Sequence, residues 1–185
     1  VIGSGAGGLS TAVTAAFQDL DVIVAEKATV FGGTTAVSGG WLWIPNTPHA
    51  QAAGQSEPIE KPKEYLKKVL GEQYDESKID TYLTKAPEMV AFFEQSTDVK
   101  FNIGAAVPDF FNVDGSRVGW RSIVAAPFDG RELGKNLNLL KSPIPETTLW
   151  GMGIASGVDM KHFINTFKAV PSFIYATKRI LRHFI

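Results

Sequence analysis

Val1-Ile2-Gly3-Ser4-Gly5-Ala6-Gly7-Gly8 is the stretch that decides the fold, and it stands at the start of the numbered chain. It has the spacing G-x-G-x-x-G and lies between a short apolar segment and an alanine-rich sequence with apolar residues at helical spacing. In such a turn Gly3 permits the sharp change of direction, Gly5 lets a pyrophosphate approach the backbone, and Gly8 lets the helix pack closely on the strand. The stretch therefore predicts a dinucleotide-binding strand–turn–helix.

A helix and a second strand are predicted after this turn. The helix covers about residues 7–19, and its apolar stripe consists of Leu9, Ala12, Val13, Ala16, Phe17 and Leu20. The continuous apolar run at 22–25 is typical of a parallel strand covered on both faces. We therefore expect a right-handed βαβ unit in a Rossmann-like α/β fold. Because a strand needs about five residues, we also expect the numbered chain to begin inside its first strand.

Glu26 follows the second strand, where an acidic side chain accepts hydrogen bonds from a ribose hydroxyl. Its negative charge repels a 2′-phosphate, so NADP is not expected. The amides at the helix N-terminus suit phosphate groups, because they have no partner within the helix. The predicted cofactor-binding residues of this part are Gly3, Ser4, Gly5, Ala6, Gly7, Gly8, Glu26 and Lys27.

A second glycine-rich loop covers residues 32–40 and favours FAD over NAD. Two Gly-Gly pairs enclose Thr and Ser residues, so the loop offers amides and hydroxyls without a bulky side chain that would block a flat ring. An NAD domain would continue with another crossover helix, which this composition disfavours. A nicotinamide-dependent dehydrogenase remains the alternative. The predicted cofactor-binding residues of this loop are Gly33, Thr34, Thr35, Ser38, Gly39 and Gly40.

The remaining sequence is predicted to be helical and rich in loops. Residues 46–61 lack periodicity and are expected to form a surface loop, and residues 104–134 are expected to be rich in loops. Further predictions are a helix near 65–70, a second helix capped by Asp75, a third starting at Pro87, a strand at 99–103 and a helical tail at 159–185 broken at Pro171. We place the FAD-binding βαβ core and second glycine loop at 1–45, and a helical, loop-rich continuation of the flavin domain at 46–185.

Composition and charge exclude several classes of protein. The 185 residues include 18 basic and 19 acidic ones, a net charge of −1, so a nucleic-acid binder is not expected. Cysteine is absent and the three histidines are isolated, so neither disulfides nor a metal site is predicted. No apolar run is long enough to span a membrane, and we expect a cytoplasmic protein. The basic, apolar tail permits peripheral membrane contact, although docking on another domain is the preferred interpretation.

Residues 1–8, Glu26-Lys27, 32–46, Ala86-Pro87-Glu88-Met89 and 126–131 together carry a family resemblance. They resemble the 3-ketosteroid dehydrogenases of the fumarate reductase/succinate dehydrogenase flavoprotein superfamily. The resemblance implies a flavin domain split by a substrate domain. This chain would then hold a truncated flavin domain, with the first FAD-binding segment and its helical insertion. It also implies a small apolar ketone, such as a steroid, as substrate.

Two positions depart from the pattern of that superfamily. Respiratory members attach FAD through a histidine in the loop that matches residues 33–36, which here reads Gly-Thr-Thr-Ala. The resemblance therefore implies non-covalent FAD. The ketosteroid Δ1-dehydrogenases carry an active-site tyrosine in the segment that matches residues 107–111, where this chain has Phe110 and Phe111. Because that hydroxyl is missing, we expect another ring position or another substrate.

The leading functional hypothesis is an FAD-dependent oxidoreductase that dehydrogenates CH–CH groups next to a carbonyl, similar to the 3-ketosteroid dehydrogenases. A fumarate reductase-like flavoprotein and a non-catalytic dinucleotide-binding fragment are the alternatives. No catalytic residue is predicted within these 185 residues. The isolated segment is expected to be inactive, because the substrate domain would lie outside it.

Overall fold

The computed structural model describes residues 1–185 as six α-helices, five short strands and several 3₁₀ turns. The helices are α1 (Ala6–Phe17), α2 (Pro48–Ala52), α3 (Glu60–Leu70), α4 (Glu76–Ser96), α5 (Val158–Ile164) and α6 (Val170–Phe184). The strands are β1 (Trp41–Trp43), β2 (Phe101–Ile103), β3 (Ser122–Ala125), β4 (Thr148–Leu149) and β5 (Met152–Gly153). The 3₁₀ turns are Thr35–Val37, Gly71–Gln73, Gly130–Leu139 and Pro145–Thr147.

The chain divides into two compact units, of which the first is formed by two separate stretches of sequence. The first unit contains residues 1–40 and 127–185, and the second contains residues 41–126. The second unit is thus an insertion between two parts of the first. The domain boundary predicted after residue 45 stays a prediction.

In the first unit, the apolar segments on either side of α1 lie side by side in parallel. Ile2 and Ala25 form a β-bridge. Gly3 N donates to Ala25 O at 2.8 Å, and Ala25 N donates to Val1 O at 2.9 Å. The predicted βαβ connection is therefore present. Because a single bridge joins the two segments, residues 22–25 do not form the regular strand predicted for them.

Most of the apolar stripe predicted for α1 is exposed. Only Ala12 is buried, whereas Val13, Phe17 and Leu20 are exposed, Phe17 by 55%. The stripe is therefore not covered within these residues. Two short parallel segments offer too little sheet surface to cover a helix of 12 residues.

Residues 127–185 complete the first unit. Phe31 N donates to Leu139 O at 2.7 Å, and Lys141 N donates to Phe31 O at 2.8 Å, so a second parallel bridge joins the two parts of the unit. The antiparallel ribbon β4–β5 precedes helices α5 and α6, which pack on each other. Pro171 stands in the first turn of α6, so the break predicted in the helical tail is confirmed.

The second unit is built on a three-stranded antiparallel sheet with the order β1–β3–β2. Ile123 of the central strand pairs with Leu42 of β1 and Ile103 of β2. The core consists of Ile44, Ala86, Val90 and Ile123. Strand β2 confirms the strand predicted at 99–103. Residues 104–134 are rich in loops, as predicted; the short strand β3 within them was not predicted, because four residues are too few to reveal an alternating pattern.

Helix α4 runs through Pro87, where two separate helices were predicted. Asp75 caps it as expected, since its carboxylate accepts from Lys78 N at 3.1 Å. Proline removes one backbone hydrogen bond from the helix interior. Leu83, Val90 and Phe93 are nevertheless buried at helical spacing on both sides of Pro87. One continuous helix keeps this stripe against the core, and that burial offsets the missing hydrogen bond.

Residues 46–61 do not form a surface loop as predicted. They contain α2, and Thr47 and Ala50 are fully buried. Thr47 Oγ1 accepts from Ala50 N at 3.3 Å and caps this short helix. A five-residue helix gives too few turns for a periodic pattern, so sequence reasoning missed it.

Candidate functional site

The two glycine-rich loops of the first unit lie directly against each other. A Cβ atom added to Gly33 would lie 3.1 Å from Gly5 Cα, and Gly33 has a φ of +56°. Ala6 N donates to Thr35 Oγ1 at 3.0 Å. Gly32 N lies within hydrogen-bonding distance of both oxygens of Ser4, at 3.2 Å from the carbonyl and 3.1 Å from Oγ. Glycine at position 33 thus allows both loops to form one continuous backbone surface.

Gly8 is where α1 touches the turn before it. A Cβ atom on Gly8 would lie 2.0 Å from Gly3 O, a distance that no side chain tolerates. Gly3 itself has a φ of +87°, a backbone conformation that favours glycine. The roles predicted for Gly3 in the turn and Gly8 in close packing therefore agree with the structure.

Glu26 is held by three hydrogen bonds at the edge of these loops. Its Oε2 accepts from Ser4 N at 2.8 Å and from Ser4 Oγ at 2.5 Å, and its Oε1 accepts from Ala28 N at 2.9 Å. The amide of Ala28 and the hydroxyl and amide of Ser4 lower the pKa of Glu26 to about 2. The side chain is therefore a carboxylate at neutral pH, with a fixed orientation. Ala28 was not predicted, because a backbone amide leaves no mark in the side-chain pattern.

These residues fit the ADP part of a dinucleotide. Helix α1 begins after Gly5, which offers no side-chain cap; Thr35 Oγ1 accepts from Ala6 N, and Gly5 gives the amides of Gly7 and Gly8 no capping group. Gly7 has nothing within 4 Å of the position of a Cβ atom, so the backbone is accessible there. Amides at a helix N-terminus attract phosphate, and the carboxylate of Glu26 can accept from a ribose hydroxyl. Phosphate donors and a ribose acceptor thus occur in one place.

The other predicted residues are those that shape the second loop, together with Lys27, which directly follows Glu26. Ser38 Oγ donates to Thr35 O at 2.9 Å and accepts from Gly40 N at 3.2 Å. The carbonyl of Gly39 accepts from Ser156 Oγ at 2.7 Å. Thr34 precedes the 3₁₀ turn, and the side chain of Lys27 is exposed. Direct contact of these residues with a cofactor stays a prediction.

Comparison with known families agrees with this geometry. A family model described as an FAD binding domain matches residues 1–164. This chain belongs to that FAD-binding family. FAD is therefore the cofactor of this chain, as predicted from the composition of the second glycine-rich loop. The same family carries the Rossmann-like fold class predicted from the first eight residues.

Enzymes with flavin-dependent chemistry are among the relatives of this FAD-binding chain. A 4-oxocyclohex-2-ene-1-carboxylate 5-dehydrogenase of Sinomonas cyclohexanicum is 38% identical over 183 residues, which cover 98% of this chain and 31% of that protein. A 3-oxosteroid 1-dehydrogenase of Mycolicibacterium smegmatis is 38% identical over 144 residues, 77% of this chain and 25% of that protein. The predicted resemblance to ketosteroid dehydrogenases is confirmed.

A solved structure shows the same fold. The 3-ketosteroid Δ1-dehydrogenase of Sterolibacterium denitrificans, in complex with 1,4-androstadiene-3,17-dione, superposes with a TM-score of 0.84 at 28% identity. The match covers 100% of this FAD-binding chain and 32% of that structure. The chain thus spans about a third of the length of the relatives that it matches. None of its helices is long and apolar enough to cross a membrane.

In the second unit, the segment with Phe110 and Phe111 is attached to the core by a buried ion pair. Phe110 is 96% exposed, but the neighbouring Asp109 is buried. Asp109 accepts from Arg121 Nη1 and from Trp43 Nε1, both at 2.6 Å. A charged anchor therefore fixes the backbone from which the two phenylalanines project. Sequence reasoning missed Asp109 and Arg121, because their partners are distant along the chain.

Glu57 completes this ion-pair cluster. Arg121 donates to it from Nε at 2.7 Å and from Nη2 at 2.6 Å, a bidentate contact. The guanidinium also lies 5.7 Å from the ring centre of Trp43 and 5.8 Å from that of Tyr65. Burial lowers the pKa of Arg121, but hydrogen bonds and charge from Glu57 and Asp109 outweigh it and raise that pKa. Arg121 is therefore a permanent cation between two carboxylates.

In the first unit, the buried carboxylate of Asp159 joins α5 to α6. Tyr175 Oη donates to Asp159 Oδ1 at 2.6 Å, Arg179 Nη2 to Oδ2 at 2.9 Å, and Ala155 N also to Oδ2 at 2.9 Å. Burial raises the pKa of Asp159, but the bonds from Arg179, Tyr175 and Ala155 lower it overall. Burial and Asp159 raise the pKa of Tyr175 to about 12. The tyrosine is thus a hydrogen-bond donor in a structural cluster.

Proposed function

We propose that this chain is the FAD-binding segment of a dehydrogenase that removes two hydrogens from a CH–CH group next to the carbonyl of a cyclic ketone. The observation that supports this most is the meeting of Glu26, Ser4 and the two glycine loops in a chain of the FAD-binding family. Both relatives are dehydrogenases whose substrates have a ring and an oxo group.

The role of this segment in that reaction is to hold the cofactor. Bound FAD supplies the capacity to accept a hydride from the substrate carbon. The first-turn amides of α1 bind phosphate, and Glu26 orients the ribose. Glycine at position 33 lets the second loop approach the backbone of Gly5 closely. Residues that remove the neighbouring proton are expected outside this chain.

The FAD is proposed to be non-covalent. Residues 1–40, which contain both glycine loops, include no histidine. Loop residues 33–36 are Gly, Thr, Thr and Ala, and none of these side chains is suited to form a stable bond to the flavin ring. Acid precipitation of the purified protein should therefore release the flavin into the supernatant.

The substrate is proposed to be a cyclic ketone other than a typical Δ1-dehydrogenated steroid. Phe110 and Phe111 supply no hydroxyl on their anchored segment. The relative that acts on an oxocyclohexene carboxylate matches 98% of this chain, whereas the M. smegmatis steroid enzyme matches 77%. A single-ring oxo acid is therefore the preferred class, and a 3-ketosteroid is the second candidate.

The experiment is a dye-linked dehydrogenation assay on the intact protein after purification with its flavin. The substrates are a 4-oxocyclohexene carboxylate and a 3-ketosteroid at matched concentrations. Faster reduction of the dye with the ring acid supports the preferred substrate class, and faster reduction with the steroid assigns the second candidate. A protein that binds FAD but oxidises neither ketone contradicts the proposed activity, and one without flavin also contradicts the cofactor role of Glu26.

A further inference from the structure

Ser4 lies where the first glycine loop, the second glycine loop and Glu26 meet, and its exposure is only 2%. Gly32 N is 3.1 Å from Ser4 Oγ, and Ser4 Oγ is 2.5 Å from Glu26 Oε2. A backbone amide can only donate, and an ionised carboxylate can only accept. The hydroxyl of Ser4 therefore accepts a hydrogen bond from Gly32 N and donates one to Glu26 Oε2.

The same contacts leave part of the Glu26 carboxylate open. Oε2 accepts two hydrogen bonds, both from Ser4, and Oε1 accepts one, from Ala28 N at 2.9 Å. A carboxylate has about four acceptor sites, two on each oxygen. Oε2 is thus fully used to hold the group in place, while Oε1 keeps an acceptor site.

We propose that Ser4 is a positioning residue for FAD, which fixes the Glu26 carboxylate and ties the second glycine loop to it. The open acceptor site of Oε1 is then oriented before a ribose hydroxyl arrives. Ser4 does not hydrogen-bond the cofactor through its own hydroxyl, because its single proton is donated to Glu26 and the residue is only 2% exposed. Its effect on FAD binding passes through Glu26. This inference rests on the FAD binding of the family.

The test is a double-mutant cycle on the intact protein, with the dissociation constant of FAD as the readout. Ser4→Ala removes the hydroxyl, Glu26→Gln removes the charge, and the double variant removes both. Ser10→Ala is the matched control, since Ser10 lies on α1 and has no contact with Glu26. Ser4→Gly provides a second variant without the hydroxyl if Ser4→Ala does not fold. Binding is followed by flavin fluorescence, so no turnover is needed.

We expect Ser4→Ala to raise the dissociation constant roughly tenfold, the effect of losing one hydrogen bond to a charged group. Ser10→Ala should change it less than about twofold, and Ser4→Ala should add less than about twofold in the Glu26→Gln background. An unchanged constant in Ser4→Ala, or single effects that multiply fully in the double variant, would overturn the inference. Absence of FAD from the unsubstituted protein would instead overturn the cofactor assignment on which the inference depends.

Discussion

The guanidinium of Arg121 lies 2.6 Å from the carboxylate of Asp109, and each side chain is only 2% exposed. Replacing Arg121 by Ala leaves the buried charge of Asp109 without a cation and leaves Glu57 with only Arg117, whose Nη1 is 3.7 Å from Glu57 Oε1. We expect this change to lower the free energy of unfolding by about 3–5 kcal/mol, because an unpaired buried charge is costly. Urea unfolding of the intact protein, followed by tryptophan fluorescence, measures the difference.

The control for that prediction is Arg131→Ala. Arg131 is also 2.6 Å from its partner, Asp129, but both side chains are exposed. An exposed ion pair contributes only about 0–1 kcal/mol. Equal losses in the two variants would show that burial does not determine the cost at Arg121.

Glu26→Gln should weaken FAD binding about 10- to 100-fold, because a hydrogen bond to a charged group contributes about 1.5–3 kcal/mol. Glu26→Asp should weaken it less, since the charge is kept on a shorter side chain. Fluorescence titration of the apoprotein with FAD gives both constants. If the Glu26→Gln variant and the unsubstituted protein bind FAD equally, the carboxylate does not contact the ribose.

The low pKa of Glu26 predicts a pH dependence with a definite sign. The folded-state pKa is about 2, below the ordinary value of 4.5, so the carboxylate stabilises the folded state at neutral pH. That stabilisation is fully present above the unfolded-state pKa and is lost as the pH falls through the interval from 4.5 to about 2. Thermal unfolding across this interval should show a smaller acid-induced decrease in Glu26→Gln. An equal decrease in melting temperature for the unsubstituted protein and Glu26→Gln would contradict the low pKa of Glu26.

Gly8→Ala should destabilise the intact protein by more than about 2 kcal/mol, because the added Cβ would lie 2.0 Å from Gly3 O. Gly7→Ala is the matched comparison for folding, since nothing lies within 4 Å of a Cβ atom at that position. Alanine is about 1 kcal/mol more favourable than glycine in a helix, so Gly7→Ala should not lower the melting temperature. Similar melting temperatures for the two variants would contradict the close contact.

Phe110 and Phe111 lie on the segment that Asp109 anchors, and neither carries a hydroxyl. Placing a hydroxyl on this anchored segment by Phe110→Tyr or Phe111→Tyr should increase 1,2-dehydrogenation of a 3-ketosteroid, because a positioned proton donor contributes about 10²–10⁴-fold. Dye-linked turnover with the steroid is the measurement. If the unsubstituted protein is already fast on the steroid and neither variant improves it, the required hydroxyl comes from another segment.

The sequence was sufficient to predict the shape of the glycine-rich turn and the position of the acid, because both depend on local spacing. The turn at Gly3, the close contact at Gly8 and the acid at Glu26 follow a pattern that 26 residues contain completely. The contact of Ser4 with the cofactor stays a prediction, whereas the hydrogen bond of its hydroxyl to Glu26 was not predicted. The direction of a short side chain depends on neighbours such as Gly32 that come later in the chain.

Sequence reasoning failed where long-range packing decides the structure. Pro87 was expected to start a helix, yet burial of Leu83 and Val90 keeps one helix continuous through it. Strand β3 is recognised only by its partners β1 and β2. The anchor between Arg121 and Glu57 spans 64 residues, and no spacing rule connects charges at that separation.

The buried carboxylate of Asp159 makes the end of the chain one cooperative element. Its oxygens are shared by Tyr175 and Arg179, so α6 cannot open near its middle without leaving a buried charge on α5. Local opening therefore has to release both helices together, whereas residues after Leu181 are held only by exposed contacts such as that of His183 Nε2 with Trp150 O and fray more easily. Amide hydrogens of α5 and of the first three turns of α6 should then exchange with solvent at one common rate, with the last turn exchanging much faster.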